Sequence, residues 1–148
     1  MSIKTQLNAS MKEAMKSGDE VRKRTVRMVL AAIKQAEVDK RVELDDTAVM
    51  NILQKEVKNR RESLEEAKKA NRTDLAEANE AEINILQAFL PKAMPAEELR
   101  ALVQAAIAET GASSPADMGK VMKAVMPQVA GRAPNDMVSA TVRELLQK

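Results

Sequence analysis

The 148-residue sequence contains neither cysteine nor histidine, and Phe89 is its single aromatic residue. Without cysteine and histidine, the chain cannot build the usual Cys/His zinc sites, perform thiol chemistry or pair a nucleophile with a histidine base. The lack of aromatic side chains argues against modules that stack unpaired bases on aromatic rings. If RNA is a partner, its backbone or overall shape is the expected target.

The sequence shows neither a nucleotide-binding loop nor a membrane-spanning run, and we expect no signal peptide. Only four glycines occur, and they form neither G-x-x-x-x-G-K-[ST] nor G-x-G-x-x-G. No apolar run is long enough to span a bilayer, and the N-terminal segment carries charges of both signs without an apolar centre. We therefore expect a cytoplasmic protein without membrane association, metal or cofactor.

Charge is nearly balanced, with 24 Lys and Arg against 22 Asp and Glu and a net charge of +2. Affinity for nucleic acid must therefore come from local clusters of cations. The densest clusters are "RKRTVR" at residues 22–27 and "KNRR" at residues 58–61. On helical geometry, Lys23, Arg27 and Lys34 project within a narrow arc, and a basic ridge is one interpretation of this pattern. The other interpretation, slightly favoured, is an ordinary solvated face with interleaved acids.

Apolar spacing predicts an all-α fold with about four helices in an N-terminal bundle, residues 1–90. Capping residues predict helix starts at Ser2, at Asp19 and at Asp45 or Asp46. The apolar stripe predicts that the fourth helix begins at Thr73. The two prolines of "LPKAMP" interrupt helical pairing. A linker is therefore predicted at residues 91–95.

Three shorter helices are predicted in a C-terminal domain, residues 96–148. Their limits are set by Pro95 and Gly111, by Ser114 and Pro127, and by Pro134. Gly119 lies early in the middle helix of this domain, where glycine costs about 1 kcal/mol against alanine. We predict that Gly119 serves packing, by permitting the close approach of another helix.

Glu82 falls on the apolar stripe of the fourth helix, where a carboxylate is costly unless it is paired. Arg27 lies amid apolar residues of the second helix, and Arg60 or Arg61 lies near the apolar stripe of the third. Each could supply a bidentate contact. We predict a structural ion pair between Glu82 and Arg27. A catalytic role for Glu82 would require a second acid, a histidine or a metal cluster beside it, and we assign no catalytic residue.

Two segments resemble signatures of the GatB/YqeY family, small bacterial proteins similar to the C-terminal tail region of the amidotransferase B subunit. They are "NRTDLAEANEAEINILQAFLP", residues 71–91, and "DMGKVMKAVMPQVAGRA", residues 117–133. Arg27, Lys55 and the closing "VSATVRELL" agree more weakly, so the resemblance covers essentially the whole chain. Pro134 stands where the family usually has an aspartate, and Asp136 comes two residues later, so the cap of the last helix departs from the family pattern.

The resemblance implies an N-terminal helical bundle, a small three-helix C-terminal domain and an association with tRNA. It also brings the family label of carbon–nitrogen ligase with glutamine as the amide donor. That reaction needs a nucleotide site with metal ligands and an amidase nucleophile, for which the sequence offers no candidate. We therefore expect a non-catalytic tRNA-binding or tRNA-amidotransferase-related accessory factor.

Contacts with RNA phosphates are predicted for the following cations: Lys23, Arg27, Lys34, Lys58, Arg60, Arg61, Arg72, Lys120 and Arg132. The alternative function is a protein-interaction module for a partner from the translation or amidotransferase machinery. In that case Met118, Met122 and Met126 of the sixth helix would offer an adaptable apolar face. The favoured interpretation of these methionines, however, is that they form the core of the small domain.

Overall fold

The computed structural model describes residues 2–147, and this part of the chain is helical without any strand. The all-α prediction is therefore confirmed. The α-helices are α1 (Ile3–Ser17), α2 (Glu20–Lys40), α3 (Asp46–Lys69), α4 (Thr73–Gln87), α5 (Ala96–Thr110), α6 (Met118–Val129) and α7 (Asn135–Leu146), with a 3-10 turn at Pro115–Asp117. The chain forms two compact units, of which the first ends at Pro91 and the second begins at Lys92.

Side-chain caps define the starts of α1, α2 and α3. Ser2, Asp19 and Asp45 each accept a hydrogen bond from the backbone N–H three residues later. These bonds satisfy N–H groups that lack a partner within the helix. Between α1 and α2, Gly18 has a φ of 74°, in the left-handed region that glycine adopts readily. The chain therefore reverses there, and α2 packs back along α1.

The first unit surrounds a core to which all four of its helices contribute. In this unit α1 packs against α2, and α3 packs against α4. The apolar spacing of each helix explains the core, because residues three and four apart lie on the same helix face. The buried residues of this core are Ile3, Leu7, Val26, Val29, Ile33, Val49, Leu53, Val57, Ile83 and Leu86.

The second unit has a separate core made by α5, α6 and α7. Its buried residues are Met94, Leu99, Val103, Ala106, Val121, Val125, Val129, Ala133, Val138, Val142 and Leu146. Met94 falls within the predicted linker 91–95, yet it is buried, and its backbone N–H donates to the carbonyl of Arg132 at 2.9 Å. Met118, Met122 and Met126 are half-buried and pack against the same core.

Two predictions for the sixth helix are wrong. Pro127 does not stop α6, which continues to Val129. The helix ends instead where Ala130 and Gly131 take positive φ angles of 48° and 79°. Gly119 is not a packing glycine, because a Cβ atom built on it would meet nothing within 4 Å. It lies on the exposed side of the first turn of α6, where an alanine would also fit.

We expect Gly119→Ala to raise the free energy of unfolding by about 0.5–1 kcal/mol, because alanine restricts the unfolded chain and fits the helix. Gly111→Ala is the matched control. Gly111 ends α5 with a φ of 70°, so alanine there should lower the free energy of unfolding by about 1 kcal/mol. Urea denaturation measures both changes, and a loss of stability in Gly119→Ala would contradict the open space at that position.

Candidate nucleic-acid interface

Arg60 of α3 is buried, with 7% of its surface exposed. Its Nε donates to Oε2 of Glu82 at 3.1 Å, and its Nη1 donates to Oε2 of Glu56 at 2.6 Å. On the other side of Glu82, Nη2 of Arg24 lies 3.5 Å from Oε1. Because Arg24, Arg60 and Glu82 belong to α2, α3 and α4, these ion pairs join three helices of the first unit.

Glu82 does form an ion pair, but the prediction that Arg27 is its partner is wrong. Arg27 is exposed on α2, and Glu82 is held by Arg60 and Arg24 instead. The sequence carried a signal for this arrangement, since Arg60 follows Val49, Leu53 and Val57 at the helical spacing of the buried stripe. A buried guanidinium that is already bound by two carboxylates cannot contact RNA phosphates, so Arg60 leaves the candidate interface.

Arg132 is also engaged within the protein. Its Nη1 and Nη2 donate to the two carboxylate oxygens of Glu98, at 2.9 Å and 3.2 Å. Its Nε donates to the backbone carbonyl of Lys92 at 3.1 Å. The guanidinium thus holds the segment after α6 against the start of α5. Its two terminal nitrogens are both occupied by the Glu98 carboxylate, which is the bidentate contact that arginine favours. Arg132, which was predicted to contact RNA phosphates, therefore has a structural role within the second unit.

Arg72 lies just before α4 and forms a bidentate pair with Asp74, with distances of 3.2 Å and 3.1 Å. The hydrogen bond from Arg72 is the main cause that lowers the pKa of Asp74. Asp74 lies in the first turn of α4, where the helix dipole also favours a negative charge. The positive charge of Arg72 is therefore largely compensated by its neighbour.

Lys23, Arg27 and Lys34 remain, and the structure brings them to one side of α2. At 100° per residue, their side chains leave the helix within an arc of about 40°. Arg27 and Lys34 are exposed, while Lys23 is half-buried and lies 3.9 Å from Oε1 of Glu20. This basic ridge, defined as Lys23, Arg27 and Lys34, is the part of the candidate interface that the structure assembles most compactly.

The other predicted cations are exposed but more dispersed. Lys58 and Arg61 lie on α3, where Lys58 makes a further polar contact. Lys120 lies on α6 of the second unit. Its charge is one of the causes that lower the pKa of Asp117, after the larger effect of the Ser113 backbone N–H. Of these three cations, Lys58 and Arg61 share a helix, so they do not form a row of three as the ridge does.

One further charged site connects α1 with the end of α2. Nζ of Lys4 lies 2.9 Å and 2.8 Å from the two carboxylate oxygens of Glu37, and the Leu44 N–H donates to Glu37 at 2.9 Å. The pKa of Glu37 is lowered mainly by the hydrogen bond from Lys4 and to a smaller extent by the hydrogen bond from the Leu44 N–H. This pair closes the end of the α1–α2 hairpin away from Gly18, so it fixes how the two helices align.

The described residues contain neither a cluster of metal-binding side chains nor a membrane-spanning helix. Across residues 2–147, no group of three or more Asp and Glu side chains is placed to hold a metal ion. In the same range, no helix combines the length and the apolar character needed to cross a membrane.

Comparison with known proteins identifies a family over nearly the whole chain. The family model described as "Yqey-like protein" matches residues 4–146. A relative named "Altered inheritance of mitochondria protein 41, mitochondrial" from Lachancea thermotolerans is 39% identical over 85 residues, which are 57% of this chain and 46% of that protein. The protein of the same name from Pyrenophora tritici-repentis is 31% identical over 145 residues, or 95% of this chain and 78% of that protein.

A third protein of that name, from Eremothecium gossypii, is 38% identical over 107 residues, which are 70% of this chain and 58% of that protein. The chain thus spans less than two thirds of the Lachancea and Eremothecium proteins. These names contradict the predicted cytoplasmic location, because the relatives are named as mitochondrial proteins. The prediction rested on the lack of an apolar signal and of a spanning helix, and neither lack specifies a compartment.

We expect Arg60→Gln to lower the free energy of unfolding of the first unit by about 2–4 kcal/mol, because it leaves Glu56 and Glu82 without their buried cation. Arg27→Gln removes an exposed arginine and should change stability by about 0.5 kcal/mol or less. Urea denaturation followed by circular dichroism measures both. Equal effects of the two substitutions would refute the structural role of Arg60.

The Lys4–Glu37 pair predicts a specific pH dependence. Because the pKa of Glu37 in the folded chain lies below its ordinary value of 4.5, the pair stabilises the fold above that pH. This contribution is lost as the pH falls through the folded pKa. In Lys4→Gln the free energy of unfolding should therefore fall less steeply between pH 5 and pH 3 than in the unsubstituted chain. Lys12→Gln, on the same helix, should keep the original slope; an unchanged slope in Lys4→Gln would contradict the pair.

Proposed function

Since the chain belongs to the family of Yqey-like proteins, we propose that it is a non-catalytic tRNA-binding protein. In this role it acts as an accessory factor related to the tRNA-dependent amidotransferase. The basic ridge of α2 supports the proposal most directly. Arg27 and Lys34 are exposed there, and neither is held in an ion pair within residues 2–147, so both can neutralise phosphates.

The mode of recognition follows from the side chains that are available. Lysine and arginine contact phosphate oxygens without reading the base sequence. Stacking of unpaired bases requires exposed aromatic rings, whereas Phe89 is half-buried against the core of the first unit. The proposed contact is therefore with the RNA backbone. Lys58 and Arg61 of the same unit can extend it, whereas the carboxylates that bind Arg60, Arg72 and Arg132 make those three arginines less available to phosphates.

The alternative functions have weaker support. A protein-interaction module would present Met118, Met122 and Met126 to a partner, but these side chains pack against the core of the second unit. A carbon–nitrogen ligase would need residues that bind a nucleotide and activate the amide donor. The sequence contains no phosphate-binding loop of the recognised kinds, and it has no cysteine.

The test measures the affinity of the purified chain for tRNA between 25 and 200 mM salt (about one decade of ionic strength). Affinity should fall steeply as salt rises. Arg27→Gln combined with Lys34→Gln should weaken binding and reduce the slope of log affinity against log salt by about 2, since each phosphate contact contributes about 0.9. The matched control is Lys92→Gln with Lys123→Gln, which removes the same charge from exposed positions of the second unit.

The control variant should keep the affinity and slope of the unsubstituted chain. If the unsubstituted chain shows no salt-dependent tRNA binding even at the lowest ionic strength, the proposal fails. If both double variants weaken binding equally, net charge and not the basic ridge is responsible, which also contradicts it.

A further inference from the structure

The α1–α2 hairpin has a defined outer face. The Lys4–Glu37 ion pair shows which side of α1 faces α2, and which side of α2 faces α1. The inner face of the hairpin is marked by its buried side chains, which are Leu7 and Ala14 on α1 and Val29 and Ile33 on α2. Any side chain of the hairpin can therefore be placed toward the core, toward the neighbouring helix or toward solvent by its helical position.

Two lysines of α1 project from this outer face, and neither was among the predicted cations. Lys16 follows Leu7 by nine residues and Lys12 precedes Ala14 by two, so both leave the helix on the side opposite to the core. Lys12 and Lys16 are exposed. Met15, which precedes Lys16, is 59% exposed.

The basic ridge of α2 borders the same face. Counted from Glu37, which faces α1, the positions of Lys34, Lys23 and Arg27 are rotated by about 40° to 80° toward solvent. The ridge thus runs along the side of α2 that adjoins α1. Glu20 lies on this face and is 3.9 Å from Lys23, whereas Glu37 is already paired with Lys4.

We propose that Lys12 and Lys16 of α1 form a second row of phosphate-binding cations beside the basic ridge, and that this two-row surface takes the backbone of base-paired RNA. The inference rests on the proposed function and identifies its ligand class. Packed helices lie about 8–10 Å apart, so the cations spread over two dimensions. A rigid duplex presents phosphates over a comparable area, whereas a single strand presents one flexible row.

The composition of the face supports this ligand over two others. Single-stranded RNA is normally held by stacking on aromatic rings, and the outer face has none among residues 2–40. An anionic membrane would require a substantial apolar surface with residues such as Trp, Phe or Leu. The face exposes only Met15 and Val38 as large apolar side chains, which are flanked by cations.

The experiment compares Lys12→Gln with Lys16→Gln in one chain against the control Lys92→Gln with Lys123→Gln. The probes are a 16-base-pair RNA hairpin, an unstructured RNA of equal length and vesicles that contain anionic lipid, each at low and moderate salt. We expect the hairpin to bind tightest, and the α1 variant to bind it about ten-fold more weakly with a salt slope reduced by about 2. Circular dichroism should show unchanged helicity, because both lysines are exposed.

The outcomes separate this inference from the proposed function. If Arg27→Gln with Lys34→Gln weakens RNA binding but the α1 variant does not, the second row is refuted while the proposed function stands. If the unsubstituted chain binds no RNA, both fail. Tighter binding to unstructured RNA, or to the vesicles, would refute base-paired RNA as the ligand of this face.

Discussion

The burial of the Arg60 guanidinium is the constraint on which the first unit depends. A charge that is removed from water is stable only when it is paired and hydrogen-bonded, and Arg60 meets this condition through Glu56 of its own helix and Glu82 of α4. Arg24 completes the arrangement from α2. The positions of three helices are thereby coupled to one side chain, and the arginines of this unit divide into those that hold the fold and those that face solvent.

This division decides which cations can act on a partner. Arg60 and Arg132 are bound by carboxylates inside their units, and Arg72 is compensated by Asp74. What remains is a set of side chains on the outer sides of helices, most densely on the α1–α2 hairpin. With a net charge of only +2, the chain has little long-range attraction for a polyanion. Local geometry therefore carries any preference for RNA.

The sequence predicted the local parts of the structure well. The all-α class followed from apolar spacing, and the capping side chains of Ser2, Asp19 and Asp45 marked helix starts that the structure shows. Caps and spacing depend on residues within a few positions of one another, so they can be read from one segment. The Lys23, Arg27 and Lys34 arc was accessible for the same reason, because it lies within one helix.

The ion-pair partners of individual side chains could not be predicted from a single segment of the sequence. Glu82 could be expected to need a cation, but selecting Arg60 over Arg27 requires the positions of three helices, and the pairing of Arg132 with Glu98 spans 34 residues. The proposed role of Lys12 and Lys16 likewise depends on how α1 lies against α2, which no single segment specifies. The prediction for Gly119 was wrong for a related reason. Its position in a helix was predicted correctly, but whether another helix approaches it depends on the tertiary structure, and none does.

The open space around Gly119 gives the chain an experimental handle. Because the sequence has no cysteine, a Gly119→Cys substitution would introduce a unique thiol at an exposed helical position of the second unit. The Cβ atom at this position would meet nothing within 4 Å, so a fluorophore or spin label can be attached there without displacing a neighbour of the Cβ atom. The label would report on the second unit alone. Because the sequence contains no tryptophan and no tyrosine, the protein would add little ultraviolet absorption or fluorescence to the signal of an RNA ligand.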